Sequence, residues 1–212
     1  ALPIWVSQLR QHTAMLENNV LGNPHSANPS SLAMTDLVEE TRRYVLQYFN
    51  TNAEKYTAVF TANASGALKL VGEAYPFASG GQYALTFDNH NSVNGIREFA
   101  SNKGARVQYV PVGFPDLRLE QESLDKVLDS ADKSAKNLFA FPAQSNFSGV
   151  KHPLSWIEYA QQKGWDVLLD AAAFVPANKL DLSAVSPDFV CISFYKMFGY
   201  PTGIGMLLIR NS

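Results

Sequence analysis

Lys196 follows an apolar run and sits among Phe194, Tyr195, Met197, Phe198 and Tyr200, ahead of Pro201-Thr-Gly203-Ile-Gly205. Apolar surroundings disfavour an ammonium, so such a lysine is expected to have a lowered pKa and a neutral amine able to attack a carbonyl and form a Schiff base. The plainer alternative is a lysine whose stem packs while its charge reaches water. The Gly/Pro/Thr turn that follows supplies backbone donors which that alternative does not need. Asp170 ends Trp165-Asp-Val-Leu-Leu169 and is followed by Ala171, Ala172 and Ala173. Its carboxylate can cap the next segment or pair with a cationic ligand nitrogen, and the alanines leave room for a flat ring.

Three further groups belong with these two. Asn63-Ala64-Ser65-Gly66 is either an ordinary helix cap or, with its small side chains and free N–H groups, a phosphate-sized anion site. It is not a P-loop, because no Gly-Lys-Ser/Thr follows. His90, in Asp88-Asn-His-Asn-Ser-Val93, could be a cap, a metal ligand or a stacking and proton-transfer partner for a ring; metal is the weakest, since His12, His25 and His152 lack zinc-ligand spacing with it. Asn146, in Gln144-Ser-Asn-Phe-Ser-Gly149, reads as a turn residue unless a ligand claims it. An anion cradle, a carboxylate for a ring nitrogen, an imine-forming lysine and a ring-covering histidine are together what pyridoxal phosphate requires.

The elements that must position these groups alternate between short apolar runs and longer amphipathic segments, the pattern of an α/β fold. Strands are predicted near 57–62, 83–87, 106–112, 137–141, 166–170, 188–194 and 205–209. Runs such as Phe189-Val-Cys-Ile-Ser-Phe194 are apolar on both faces, as expected of a mostly parallel seven-stranded sheet sandwiched by helices. Helices are predicted over 32–49, 66–76, 92–102, 122–131 and 154–163, the first burying a stripe of Leu37, Val38, Thr41, Tyr44, Val45, Tyr48 and Phe49. Gly104 and Gly164, each after a lysine, read as helix stops. Residues 1–31 are expected to form an irregular lead-in to one domain over 32–212. In an open sheet of this kind, ligands bind beyond the carboxyl ends of the strands, which is where the polar groups fall.

With 212 residues and only 17% charged, the chain is long and apolar enough for one substantial core, which excludes disorder. Seventeen basic and nineteen acidic residues leave a charge of −2, so no long-range field favours nucleic acid or a membrane surface. No apolar run approaches the roughly 20 residues that span a bilayer. The single cysteine, Cys191, excludes an internal disulfide and fits a reducing, cytoplasmic setting; within an apolar strand it reads as inert packing. Asn63-Ala-Ser65 and Asn146-Phe-Ser148 match the glycosylation pattern by coincidence on this reading. The chain starts at Ala1 without the layout of a secretory signal, and its front reads as processed or excised.

Four segments carry a family likeness: Gly22-Asn-Pro-His-Ser26; Phe60-Thr-Ala-Asn-Ala-Ser-Gly-Ala-Leu-Lys-Leu70; Phe141-Pro-Ala-Gln-Ser-Asn-Phe-Ser-Gly149 with Pro153-Leu-Ser-Trp-Ile157; and Ser193-Phe-Tyr-Lys-Met-Phe-Gly-Tyr-Pro-Thr-Gly-Ile-Gly205. In this order the chain resembles class V aminotransferase-like enzymes of the fold-type I pyridoxal-phosphate group, relatives of cysteine desulfurases, and most closely the N-terminal part of molybdenum cofactor sulfurases. The resemblance implies the large domain of that fold, with Lys196 holding pyridoxal phosphate as a Schiff base and moving protons at the substrate α-carbon. Asp170 would pair with the ring nitrogen, His90 would stack on the ring, and Asn146 would bond its hydroxyl. Ala64, Ser65 and Ser193 would hold the phosphate. Tyr195 stands where desulfurases usually have histidine, as in the sulfurases. Ala173 stands where desulfurases commonly have glutamine, and Ala64 replaces a hydroxyl residue. The implied activity is sulfur mobilisation from L-cysteine for molybdenum cofactor, in a homodimer with the Pro201-Thr-Gly203 turn near the neighbouring cofactor. The family's sulfur-carrying cysteine, substrate-binding arginine and smaller subdomain lie beyond the lysine by more than the sixteen residues present here, so this chain is expected to be a PLP-binding domain inactive in isolation. Another class V outcome, transamination or β-elimination, and a non-catalytic module on the same fold remain open.

Overall fold

A computed structural model describes residues 6–199 and 203–211. In chain order its elements are α1 (Val6–Asn18), α2 (Pro29–Tyr48), β1 (Tyr56–Thr61), α3 (Ala64–Ala74), β2 (Gln82–Thr86), α4 (Asn91–Asn94), α5 (Ile96–Asn102) and β3 (Arg106–Val110). A small hairpin of β4 (Val112–Gly113) and β5 (Arg118–Leu119) precedes α6 (Gln121–Leu128), β6 (Asn137–Pro142), α7 (Trp156–Gln162), β7 (Asp166–Asp170), β8 (Phe189–Ser193), α8 (Phe194–Phe198) and β9 (Gly205–Arg210).

Seven strands form one sheet in the order β1-β9-β8-β7-β6-β2-β3. All the pairings are parallel except those of β9, which runs against both β1 and β8. The seven predicted strands are therefore present, and the sheet is mostly parallel. Strands β2 and β6 are buried at every position, because α3, α4 and α5 pack on one face while α2, α6 and α7 pack on the other. Fully buried Trp165 spends its indole N–H on Leu128 O at 2.9 Å, and buried Tyr83 spends its hydroxyl on Val93 O at 2.8 Å. The two predicted helix stops hold, with Gly104 and Gly164 at φ 83° and 87°, in the left-handed region that favours glycine.

Four expectations need correction. The lead-in is not wholly irregular: Val6–Asn18 is helical, although none of its residues is buried, so no apolar stripe announced it. The α2 stripe is buried only at its C-terminal end, where Val45, Leu46 and Phe49 are covered; Leu37, Tyr44 and Tyr48 are exposed because the helix lies against the edge strand β1 and little else among the described residues. The helix predicted over 92–102 breaks into α4 and α5 at Gly95. The strand predicted to reach residue 112 ends at Val110, before Pro111, which has no N–H for the ladder.

Candidate functional site

Six parallel strand ends and the start of β9 open on one edge of the sheet. Thr61 and Ser193 both face Gly205, Asp170 faces Cys191, and Pro142 faces Asp170 in register. The chain leaves β2 outward to β3 and returns on the other side of β2 as β6, so a crevice opens where the order reverses. Buried Asn89 spans it, its amide donating to Thr86 O at 2.9 Å and to Ala140 O at 3.1 Å.

At one end of this edge, Asn63 caps α3 by accepting the Gly66 N–H at 2.9 Å. The Ala64 N–H donates to the buried Ser193 hydroxyl oxygen at 2.8 Å. The Ala64 N–H is thus engaged here, while Ser65, exposed at the helix start, offers its N–H towards an anion and has its hydroxyl 2.6 Å from that of Ser92. Ser193 keeps its proton to give. The cap can sit this low because Gly205 lacks a side chain. A Cβ there would lie 2.5 Å from the Asn63 backbone and 2.6 Å from Ile192 O.

Asp170 is buried at the centre of the edge, with Oδ1 accepting the Ala172 N–H at 3.0 Å. Burial pushes its carboxyl upward; the Ala172 N–H, Lys196 and His90 pull it back only partly, so the net shift is up. Among the described residues no cation forms an ion pair with it. Lys196 lies in α8, a short helix that begins directly after β8 and ends on Gly199 at φ 68°. It is half-buried, as are Tyr195 and Ala173, and its amine makes no hydrogen bond or ion pair among the described residues. Cys191 is fully buried on β8 and burial raises its thiol well above the usual range, which makes it packing and not a nucleophile.

His90 and Asn146 stand on exposed loops that meet in a cleft of about 960 Å³, rimmed by Phe87, Phe114, Leu117 and Phe147. His90 caps α4, its Nδ1 accepting the Ser92 N–H at 3.2 Å, so the neutral ring carries its proton on Nε2. The Ser92 hydroxyl is 3.1 Å from the same Nδ1 and 2.6 Å from the Ser65 hydroxyl, joining the anion end to the imidazole. Ser92 was not singled out from sequence, although a serine two residues after a capping histidine was the available signal. Asp88, Asn89 and His152 were also missed as site-forming residues. Their partners come from distant segments and leave no local pattern. Pro201 and Thr202, the front of the turn expected near a partner subunit, lie outside the described residues.

The family model described as aminotransferase class V matches residues 8–212. The chain belongs to the class V aminotransferase family. Members of the class V aminotransferase family use pyridoxal phosphate. It is 44% identical to molybdenum cofactor sulfurase of Homo sapiens over 220 residues, covering 97% of this chain and 24% of the relative. It is 38% identical to molybdenum cofactor sulfurase of Arabidopsis thaliana, covering 92% of this chain and 28% of the relative. The chain thus spans about a quarter of the length of these relatives. Among solved structures, an apo cysteine desulfurase from Thermococcus onnurineus NA1 aligns over 99% of this chain and 52% of its own, with TM-score 0.84 and 24% identity. A NifS-like protein from Rickettsia africae aligns over 99% of this chain and 56% of its own, with TM-score 0.83 and 19% identity. The mostly parallel α/β sheet read from the strand pattern, and the large-domain fold that the family resemblance implied, are the fold of these neighbours.

Proposed function

We propose that the chain is the pyridoxal-phosphate domain of a sulfurase that takes sulfur from L-cysteine and delivers it to molybdenum cofactor. The observation that carries the reading is Asp170, buried at the end of β7 with its carboxyl pushed up by that burial, on the same edge as half-buried Lys196, whose amine makes no hydrogen bond or ion pair among the described residues. A protonated ring nitrogen is a partner that would favour such a carboxylate, and the residues fit the cofactor. The names of the relatives, at 44% and 38% identity, support cysteine sulfur and molybdenum cofactor over other class V chemistry.

When bound, the cofactor supplies an electron-withdrawing ring that stabilises negative charge at the α-carbon of an amino acid. The residues of this chain do the rest. Asp170 would hold the ring nitrogen protonated. Ser65 and Ser193 would give hydrogen bonds to the phosphate, and the His90 imidazole would cover one ring face. Asn146 would bond the ring hydroxyl, and the Lys196 amine would hold the cofactor and serve to move a proton at the substrate α-carbon. In the net reaction the thiol of a protein cysteine takes the sulfur of L-cysteine, giving a persulfide and alanine; no external oxidant is needed. Cys191 is buried away from solvent, so the proposal places that thiol on a cysteine outside this chain. Homodimerisation and a cytoplasmic setting are part of the proposal, the first supported by Phe114 and Phe147, each 87% exposed at the cleft rim.

The test is the full-length protein supplied with pyridoxal phosphate and L-cysteine. We expect alanine to form, a terminal sulfur to return to desulfurated molybdenum cofactor, and both, with the visible absorption of the lysine-bound cofactor, to vanish in Lys196→Ala. Bound cofactor with no alanine from cysteine would overturn the sulfurase reading.

A further inference from the structure

Asp88 and His152, 64 residues apart, meet in a hydrogen bond with Oδ2 and Nε2 2.9 Å apart and side chains only 4% and 2% exposed. Neither has a role in the proposed chemistry. Their positions are the notable point. Asp88 lies two residues before His90, where β2 runs out into its loop; His152 closes the turn whose tip carries Asn146. His152 is itself fixed from two sides. Its N–H donates to Ala143 O at 3.1 Å, and its ring stacks on buried Trp156 of α7, centroids 5.2 Å apart at 23°. A second tie runs parallel to the pair: the Ser145 hydroxyl donates to Asp88 O at 3.3 Å, and the Ser145 N–H donates to Val150 O at 2.8 Å to shape the turn.

His90 and Asn146 are exposed and lie four residues past the ends of β2 and β6, the Asn146 turn being bridged by Gln144 and Lys151. We propose that the Asp88–His152 pair is a positioning device: it fastens the His90 loop to the Asn146 loop at their buried roots and so sets the gap into which the cofactor ring fits. The proposal rests on the reading of His90 and Asn146 as ring contacts. Burial pushes the Asp88 carboxyl up, and the His152 hydrogen bond and charge, with the Thr86 and Ser145 hydroxyls nearby, more than offset it, so the carboxylate stays ionised. Its Oδ1 is buried with no partner, which leaves His152 as its principal support.

The test compares His152→Ala, His152→Gln and Asp88→Asn in the full-length protein. Glutamine can place an amide N–H near the position of Nε2 and keep the bond, whereas alanine removes it. The first readout is hydrogen exchange of the cofactor-free protein. His152→Ala should speed exchange at residues 88–91 and 144–149 together, with α3 and β7 unchanged, and His152→Gln should restore most of the protection. The second is cofactor affinity and the visible circular dichroism of the bound ring. His152→Ala should weaken affinity about tenfold, the size of one lost charge-assisted bond, and shrink the dichroism, with His152→Gln close to wild type. Should His152→Ala fail to fold, Asp88→Asn carries the test, with intermediate loosening of both loops expected. Exchange that rises only at 150–153, or evenly over the whole chain, overturns the proposal, as does an Asp88→Asn protein with both loops unchanged. If the wild type takes up no cofactor, the reading of the site fails while loop exchange still decides the clamp. If the wild type binds cofactor and all three variants match it, the clamp fails and the site stands.

Discussion

Asp170 and His90 serve the same edge of the sheet but are held there in opposite ways. Asp170 is the last residue of a strand with neighbours on both sides, and its carboxylate is buried. Ser193 is placed in the same way at the end of β8. His90 and Asn146 stand exposed on loops and Ser65 exposed on the first turn of α3, and side-chain bonds tie them together: Ser92 between Ser65 and His90, Asn89 across the crevice, and Asp88 with His152 beneath. The floor of the site is thus fixed by backbone ladders and the rim by a few polar contacts. Damage to the floor should be costly to the fold, whereas loss of an exposed rim side chain should be costly mainly to the ligand.

The largest expected effect tests the floor. Gly205 allows the Asn63 cap and β9 to touch, and the atoms a new Cβ would meet are all backbone. Overpacking that side chains cannot relieve costs roughly 1–3 kcal/mol, and Gly205→Ala should fall at the upper end of that range. Urea unfolding should show the loss, accompanied by weaker phosphate binding as α3 is pushed off its seat. An unchanged midpoint would mean that the strand edge is softer than the contrast requires.

Asp170 gives a finer test, since here the floor bears a cost that the ligand relieves. Its folded pKa is raised, so its contribution to stability is complete below the unfolded value of about 3.9 and is lost as pH rises through the higher folded value. Asp170→Asn keeps the bond from Ala172 and removes the buried charge. Without cofactor, the variant should therefore gain stability over wild type as pH is raised from about 4 towards 7, while its cofactor affinity falls about tenfold or more. A stability difference that stays flat over that range would remove Asp170 from the groups under strain.

The same contrast explains what could be read without coordinates. Floor residues announce themselves, because a strand covered on both faces must be apolar throughout: Val167-Leu-Leu169 and Phe189-Val-Cys-Ile192 could be read as strands, and the polar residues ending them stood out. Lys196, Asp170 and Ser193 stood out in this way as polar groups at strand ends, the phosphate role of Ser193 coming from the family resemblance. The rim is different in kind. Ser92, Asp88 and His152 act through partners brought from 27 and 64 residues away, and no periodicity encodes such a meeting. Alpha-helix α8 was missed because five residues give no period, and α1 because it buries nothing. Tyr44 and Tyr48 were misjudged for the converse reason: a stripe shows that a helix has an apolar face, not that a neighbour in the same chain covers it.

Asn146 should give the smallest effect on the fold and the cleanest statement about the rim. Its side chain is exposed and makes no hydrogen bond among the described residues, while the turn beneath it is closed by the Ser145 and Gly149 N–H groups donating to Val150 O and Ser145 O. Asn146→Ala should therefore shift unfolding by less than about 0.5 kcal/mol, as a surface change does. Its effect on the cofactor should be separate, a roughly fivefold loss of affinity from one neutral hydrogen bond to the ring. Titration with pyridoxal phosphate beside urea unfolding of the same sample measures the two together. A stability loss as large as the binding loss would show that the Asn146 turn is built into the floor, and the division between the two parts of the site would have to be drawn elsewhere.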